Sequence, residues 1–210
     1  MSKRAYNSSR RKAQARQTRR QIVEAARTLF SAFGYSGATV EAIAQEAGVA
    51  VETVYASFGN KRNILSRLID VSLVGDDEPT PFLQRQGPLA VQQEKDQNQQ
   101  IQLFAGQMVE IMGRVAPLFE VMRAAAKSEP DIAEMLQRIL DERVEGLKFF
   151  AAALLSNGPL QDELSLDDAS EIIWAISSGE VYTLLVVDRG WPVEKYKQWL
   201  ANTLIKLILP

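Results

Sequence analysis

The 210 residues include no histidine and no cysteine, which leaves hydroxyls, carboxylates, cations and apolar surface to do any chemistry. Zinc sites of the Cys/His type, Ser-His-Asp triads, imidazole bases and thiolate nucleophiles are excluded, and no metal or cofactor is expected. Among the groups that remain, one small cluster is suited to recognition. Thr53, Tyr55 and Ser57 carry hydroxyls that can donate to phosphate oxygens, while Val51, Ala56 and the Thr53 methyl suit thymine methyl groups. Glu52 can accept from a cytosine amino group, although a solvated carboxylate or a pair with Arg62 is the plainer role. Lys61 opens a helix, where its charge and the unpaired backbone N–H groups make a phosphate site. Thr39 heads an earlier helix. Arg16, Arg19 and Arg20 lie where they can follow a phosphate backbone or enter a minor groove.

These groups need short, well-placed helices. Ile22, Ala25, Ala26, Leu29, Phe30 and Phe33 recur at spacings of three and four, which predicts a helix over Ala15 to Phe33 stopped by Gly34. Thr39 then caps a helix from Val40 to Ala47. The turn at Gly48 leads to a helix from Val51 to Phe58, and a fourth runs from Lys61 to Val74. Ile43, small Ala44, Val49, Val54 and Phe58 have packing reasons, which leaves the opposite side of Val51 to Phe58 outside. Two short helices joined by a glycine turn form a helix-turn-helix, whose second helix enters a major groove.

Charge agrees with that placement. Residues 1–67 hold twelve Lys/Arg against four acids, and residues 68–210 hold twelve against twenty-two, so a net charge of −2 hides a local +8 and −10. The basic end is the one that attracts a polyanion. Residues 1–14 are expected as a basic disordered tail, 15–74 as the DNA-binding domain with its linking helix, 75–98 as a loop or linker with at most one irregular turn, and 99–210 as a helical domain. In that last part the pattern predicts helices over Gln99–Met112, Pro117–Lys127, Asp131–Asn157, Asp167–Asp188 and Pro192–Leu209. The fold class is all-α. Apolar runs such as Phe149 to Leu155 are too short to cross a bilayer, so no membrane partner is expected.

The run Ile22 to Phe30 (IVEAARTLF), with Gly34-Tyr35, Ala38 to Val40, Ile43-Ala44, Ala47 to Val49, Thr53 to Tyr55, Phe58 and Lys61, resembles the DNA-binding domain of the TetR family of transcriptional regulators. Two positions depart from the family pattern. Ala50 replaces a frequent capping serine, at a cost of ~1 kcal/mol, and Ser57 stands where a phosphate-touching histidine or tyrosine is common.

The resemblance implies a homodimer whose last two helices pair with their mates and place two reading helices on a palindromic double-stranded operator. Ile172, Ile176, Val181, Leu184, Leu185, Tyr196, Trp199, Leu200 and Leu204 are the expected interface. It also implies a small-molecule effector held in the helical core. Phe104, Met108, Met112, Phe119, Phe150 and Trp174 are the expected lining, with Gln107 and Arg123 as polar anchors. The resulting expectation is a cytoplasmic, ligand-responsive regulator, a repressor released by its effector, and not an enzyme. The alternative is a helical dimer that sequesters a small apolar molecule with little specific DNA binding. An all-α enzyme would rest on Asp167-Asp168, which helix capping explains more simply.

Overall fold

The computed structural model describes residues 3–162 and 164–210, with side chains described from Arg10 onward. Helices account for every regular element among them. In order these are α1 (Lys3–Gly37), α2 (Val40–Glu46), α3 (Val51–Phe58), α4 (Lys61–Val74), α5 (Gln86–Gln93), α6 (Gln97–Ala126), α7 (Pro130–Asn157), α8 (Leu166–Ile176), α9 (Gly179–Tyr182) and α10 (Val193–Ile208). The chain divides into two compact units, residues 1–77 with 120–135, and residues 78–119 with 136–210.

In the first unit α1 packs on α2 and α4, α2 on α3, and α3 on α4. The apolar stripe of α1 supplies the centre: Ile22, Ala26 and Phe30 are fully buried, and Phe30 stacks on Tyr35 at 5.8 Å. Gly34 breaks the helix as expected, with φ 67° and ψ −178°, and the chain resumes one more turn before Ala38. Isoleucine 43 and Ala44 of α2, Val54 and Phe58 of α3, and Ile64, Leu65 and Leu68 of α4 complete the core.

The second unit is built around Ile101, Phe104 and Ala105 of α6, Ala151 and Leu154 of α7, Ile173 of α8, and Tyr196, Leu200, Leu204 and Ile208 of α10. Phe104 and Phe150 stack with ring centroids 4.1 Å apart. At one end Gln97 Nε2 donates to the carbonyls of Leu154 and Pro159, and Asn157 Nδ2 to the Glu94 carbonyl and Gln100 Oε1.

Several elements differ from the expectations. Helix α1 begins at Lys3, so the stretch expected as a disordered tail is helical; its alanines, arginines, lysines and glutamines are good helix formers that extend a helix anchored further on. Met1, Ser2 and the side chains of Lys3 and Arg4 lie outside the described residues. The stretch 75–98 contains a 3-10 turn at Phe82–Gln84 and the eight-residue α5, which buries Val91, so it is more ordered than a linker with one irregular turn. Helix α6 runs unbroken through Pro117. A proline there costs about 3 kcal/mol, and burial of Met112, Val115, Ala116, Leu118 and Met122 on both sides of it offsets that cost. Conversely, the expected helix Asp167–Asp188 is broken: α8 ends at Ile176, Ser178 caps α9, and π-helical turns follow over Thr183–Asp188.

Candidate nucleic-acid interface and buried polar cluster

The turn between α2 and α3 is made by Gly48, whose φ of 65° lies in the left-handed region that favours glycine. The Val49 N–H closes it on the Ala44 carbonyl at 3.0 Å. Thr39 Oγ1 accepts from the Ala42 N–H at 3.1 Å, which is N-cap geometry and leaves the hydroxyl proton available for an outside acceptor. The N-cap of α3 is Ala50, which offers no side-chain bond.

Helix α3 sorts its residues by face. Val54 is 1% exposed and Phe58 is buried, whereas Glu52, Tyr55 (48% exposed) and Ala56 are exposed. Val51, Thr53 and Ser57 are half-buried on the flanks. The outward face is therefore small, weakly charged and carries a single large group, the Tyr55 phenol. Arg62 is not the partner of Glu52; it pairs with Asp131 at 3.5 Å instead.

The surrounding cations are less available than their positions in sequence suggest. Lys61 is half-buried, donates from Nζ to the Tyr35 carbonyl at 2.7 Å and sits 4.2 Å from the Tyr35 ring centre; burial lowers its pKa from the ordinary lysine value. The same burial, followed by the charge of Glu129, raises the Tyr35 pKa. Arg16 is drawn to Asp77, with Nη2 on its carbonyl at 2.6 Å and Nε 3.4 Å from Oδ2, and Arg67 meets the same carboxylate. Arg19 lies over the Phe58 ring at 4.9 Å. Arg20 is exposed, as are Arg10 and Lys12 further along the same helix.

Residues 22–68 match the family model described as bacterial regulatory proteins, tetR family, which covers α2, α3, most of α1 after its exposed start, and the first half of α4. The amino-terminal unit carries a tetR-family DNA-binding domain. Solved structures extend the likeness in fold across both units. A TetR transcriptional regulator from Chloroflexus aurantiacus is 18% identical with a TM-score of 0.66, covering 93% of this chain and 98% of that one. The fatty acid degradation regulator FadR from Bacillus halodurans is 20% identical with a TM-score of 0.67, covering 89% and 93%. A transcriptional regulator from Saccharomonospora viridis, solved in complex with choline, is 19% identical with a TM-score of 0.66, covering 91% and 97%. No curated protein matches the chain at the level of sequence. The whole chain thus has the fold of a tetR-family regulator.

In the second unit the residues expected around an effector are brought together only in part. Phe104, Met108, Met112 and Phe150 are buried in one core, with Phe119 and Trp174 packed partly buried against it. Gln107 is half-buried, its amide within 3.2 Å of where a side chain on Gly87 would begin. Arg123 belongs to the first unit.

The polar residue that sequence reasoning missed is Arg143 of α7. Its Nη1 donates to the Trp174 carbonyl at 3.0 Å, and its Nη2 to the Ser177 carbonyl at 2.9 Å and hydroxyl at 2.8 Å. It thereby caps the open carbonyl end of α8, where a cation is favoured. Burial pulls its pKa down to about 10, against the opposing charges of Glu180 and Tyr196. The signal was present in the sequence: Leu136, Leu140, Arg143, Leu147, Phe150 and Leu154 follow the four-three alternation of a core-facing stripe, so the arginine occupies a core register. Two further polar atoms nearby, Trp174 Nε1 and Tyr196 Oη, are buried with no hydrogen-bond partner.

The dimer expectations also need correction. Tyr196, Leu200 and Leu204 are 0% exposed and belong to the chain's own core, because α10 turns its 196–200–204–208 stripe inward. Ile172, Ile176, Val181, Leu185 and Trp199 are partly buried against that core. Leu184 at 55%, Val187 at 64% and Leu207 are exposed. The stretch Leu166–Asp188 is long and apolar enough to cross a bilayer by length and composition, and most of its most apolar part is not buried within the chain. Its apolarity divides between an inner face on the core and an outer face left uncovered. Asp168, the acid considered for catalysis, is held in the α8 cap: its N–H donates to Ser165 Oγ at 3.1 Å, and that hydroxyl donates to its carboxylate at 2.5 Å. Asp167 pairs with Lys148 at 3.2 Å.

Proposed function

We propose that this protein is a ligand-responsive transcriptional repressor acting in the cytoplasm, a homodimer that binds a palindromic operator and is released by a small molecule. The observation that carries the reading is the outward face of α3, with Glu52, Tyr55 and Ala56 exposed over a fully apolar back. A surface helix that presents hydroxyl and methyl groups at a helix-turn-helix is built to meet base edges and phosphates. Val51, Thr53, Tyr55 and Ser57 carry the reading role, and Thr39 and Arg20 hold the backbone. Arg16 and Lys61 reach phosphate only by giving up part of their internal contacts.

The uncovered apolar groups Leu184, Val187 and Leu207, with half-buried Ile176 and Trp199, form the surface that a second copy covers. An isologous pair of this kind sets two reading helices at a fixed spacing. The effector occupies the core of the second unit. Of two solved proteins of like fold, one is described as a fatty acid degradation regulator and the other was crystallised with choline, which supports a fold able to serve small organic ligands.

The test is a mobility-shift titration of purified protein on the DNA upstream of its own gene. The expected result is a sequence-selective shift that weakens steeply with salt. A shift competed equally well by unrelated DNA would instead favour the sequestering alternative.

A further inference from the structure

We propose that the effector is an apolar monocarboxylate, its headgroup bound by Arg143 together with the Tyr196 hydroxyl and the Trp174 indole N–H. This rests on the reading of the second unit as the effector domain. A guanidinium has five N–H donors, and Arg143 directs three hydrogen bonds, all to uncharged oxygens of Trp174 and Ser177. Capping α8 explains those three bonds. It leaves two donors on a cation whose hydrogen bonds all go to neutral oxygens at a helix end, with the charge of Glu180 also acting on it. A half-buried cation with two N–H groups to spare can take an anion on them.

Two independent observations point to the same place. Tyr196 is completely buried, and its hydroxyl has no partner; the Trp174 N–H is likewise buried and unpaired. Buried hydroxyl and indole donors find partners in the great majority of folded proteins, so two failures beside one cation mark groups waiting for an acceptor. Arg143 lies 5.8 Å from the centre of the Trp174 ring, and its charge is felt by Tyr196. A carboxylate, with two oxygens and about four acceptor positions, can take both orphan donors and the two spare guanidinium N–H groups.

The length of the molecule follows from α7. Phe150, stacked on Phe104, comes seven residues after Arg143 on the same stripe, about 10 Å along the helix at 1.5 Å per residue. A chain or ring system of roughly eight carbons matches that length, and Met108 and Met112, buried in the same core, are side chains pliable enough to yield to it.

Isothermal titration of the full-length protein with octanoate, octanamide and octan-1-ol tests this. Octanoate is expected to bind saturably and at least about ten-fold tighter than either neutral probe, the ratio a single charge-assisted contact of ~1.4 kcal/mol supplies. Tyr196→Phe and Trp174→Phe each remove a donor that has no partner in the unliganded protein. Both are expected to weaken octanoate ~3- to 10-fold, and Tyr196→Phe, which removes no ring volume, to keep or raise the melting temperature as well. Arg143→Lys should weaken it further; if that variant fails to fold, the other two carry the test. Equal binding of octanoate and octanamide, or unchanged affinity in both aromatic variants, overturns the carboxylate assignment. Should the neutral probes bind and release DNA, the effector reading survives that loss. If no probe of either charge binds, the carboxylate assignment falls, and a broader ligand library that also finds nothing would remove the effector reading with it.

Discussion

In the amino-terminal unit the Tyr55 hydroxyl and the single carboxylate of α3 stand outside, Thr53 and Ser57 are half-buried on its flanks, and the side chains beneath them, Val54 and Phe58, are apolar and buried. In the second unit two unpaired donors, the Trp174 N–H and the Tyr196 hydroxyl, are buried, and a half-buried guanidinium lies beside Trp174. Polar groups on a surface pay no desolvation cost, so they can be chosen for a large hydrated partner such as a DNA groove. Buried ones cost several kcal/mol each when unpaired. The first unit thus keeps its polar groups on the surface, while the second holds two unpaired buried donors that a ligand can satisfy.

Substitutions can break or sharpen that contrast. The largest effect is expected from Phe30→Ala, which empties the centre beneath the reading helix; it should cost about 3–5 kcal/mol in a denaturant melt and abolish DNA binding. A cost below about 1 kcal/mol would mean that this core does not hold α3 in place.

Tyr196 gives a pH-dependent counterpart in the other unit. Burial, then the neighbouring Tyr182, raises its pKa from 10.0 to about 12. The folded state thus favours the neutral phenol, so its contribution is fully present below pH 10 and is lost as the pH climbs toward 12. Two pH units correspond to about 2–3 kcal/mol. Urea melts of the wild type between pH 9.5 and 11.5 should show falling stability, and Tyr196→Phe should flatten the slope. An identical slope in both proteins would contradict the buried, unpaired phenol.

Tyr55→Ala should leave stability within about 0.5 kcal/mol, as for exposed positions, yet lower operator affinity ~10-fold in fluorescence anisotropy. A stability loss larger than the binding loss would show that Tyr55 packs inward. The smallest effect is expected from Ala50→Ser, which supplies the absent cap of α3 and should raise stability by about 0.5–1 kcal/mol in the same melts.

Much of the first unit was legible in the sequence because its signals are local. Gly34, Gly48 and Thr39 each mark a boundary by their own backbone or capping chemistry, and the stripe from Ile22 to Phe30 needs only one helix to be recognised. The second unit was harder to read because its decisions are tertiary. The unbroken α6 passes through Pro117 on the strength of packing that a proline signal hides. The fate of α10 turned on which of two apolar stripes its own core claims: Tyr196, Leu200 and Leu204 went inward, against expectation, and Leu207 stayed out. Arg143 was overlooked because a charge is read by habit as surface, though its register among Leu136, Leu147 and Phe150 places it inside. Similarly, Arg16 and Lys61 have the right position for phosphate contacts, but Asp77 and the Tyr35 carbonyl, distant in sequence or around a turn, hold them.

On the proposed reading, the outward face of α3 meets base edges as one half of a twofold pair. Selection of bound duplexes from a random pool, followed by sequencing, tests it directly. The expected result is one enriched motif with twofold symmetry, rich in thymine at the positions facing Val51, Thr53 and Ala56, and loss of that motif in Tyr55→Ala. Recovery of a pool no different from the input, at protein concentrations where the fold is intact, would contradict it.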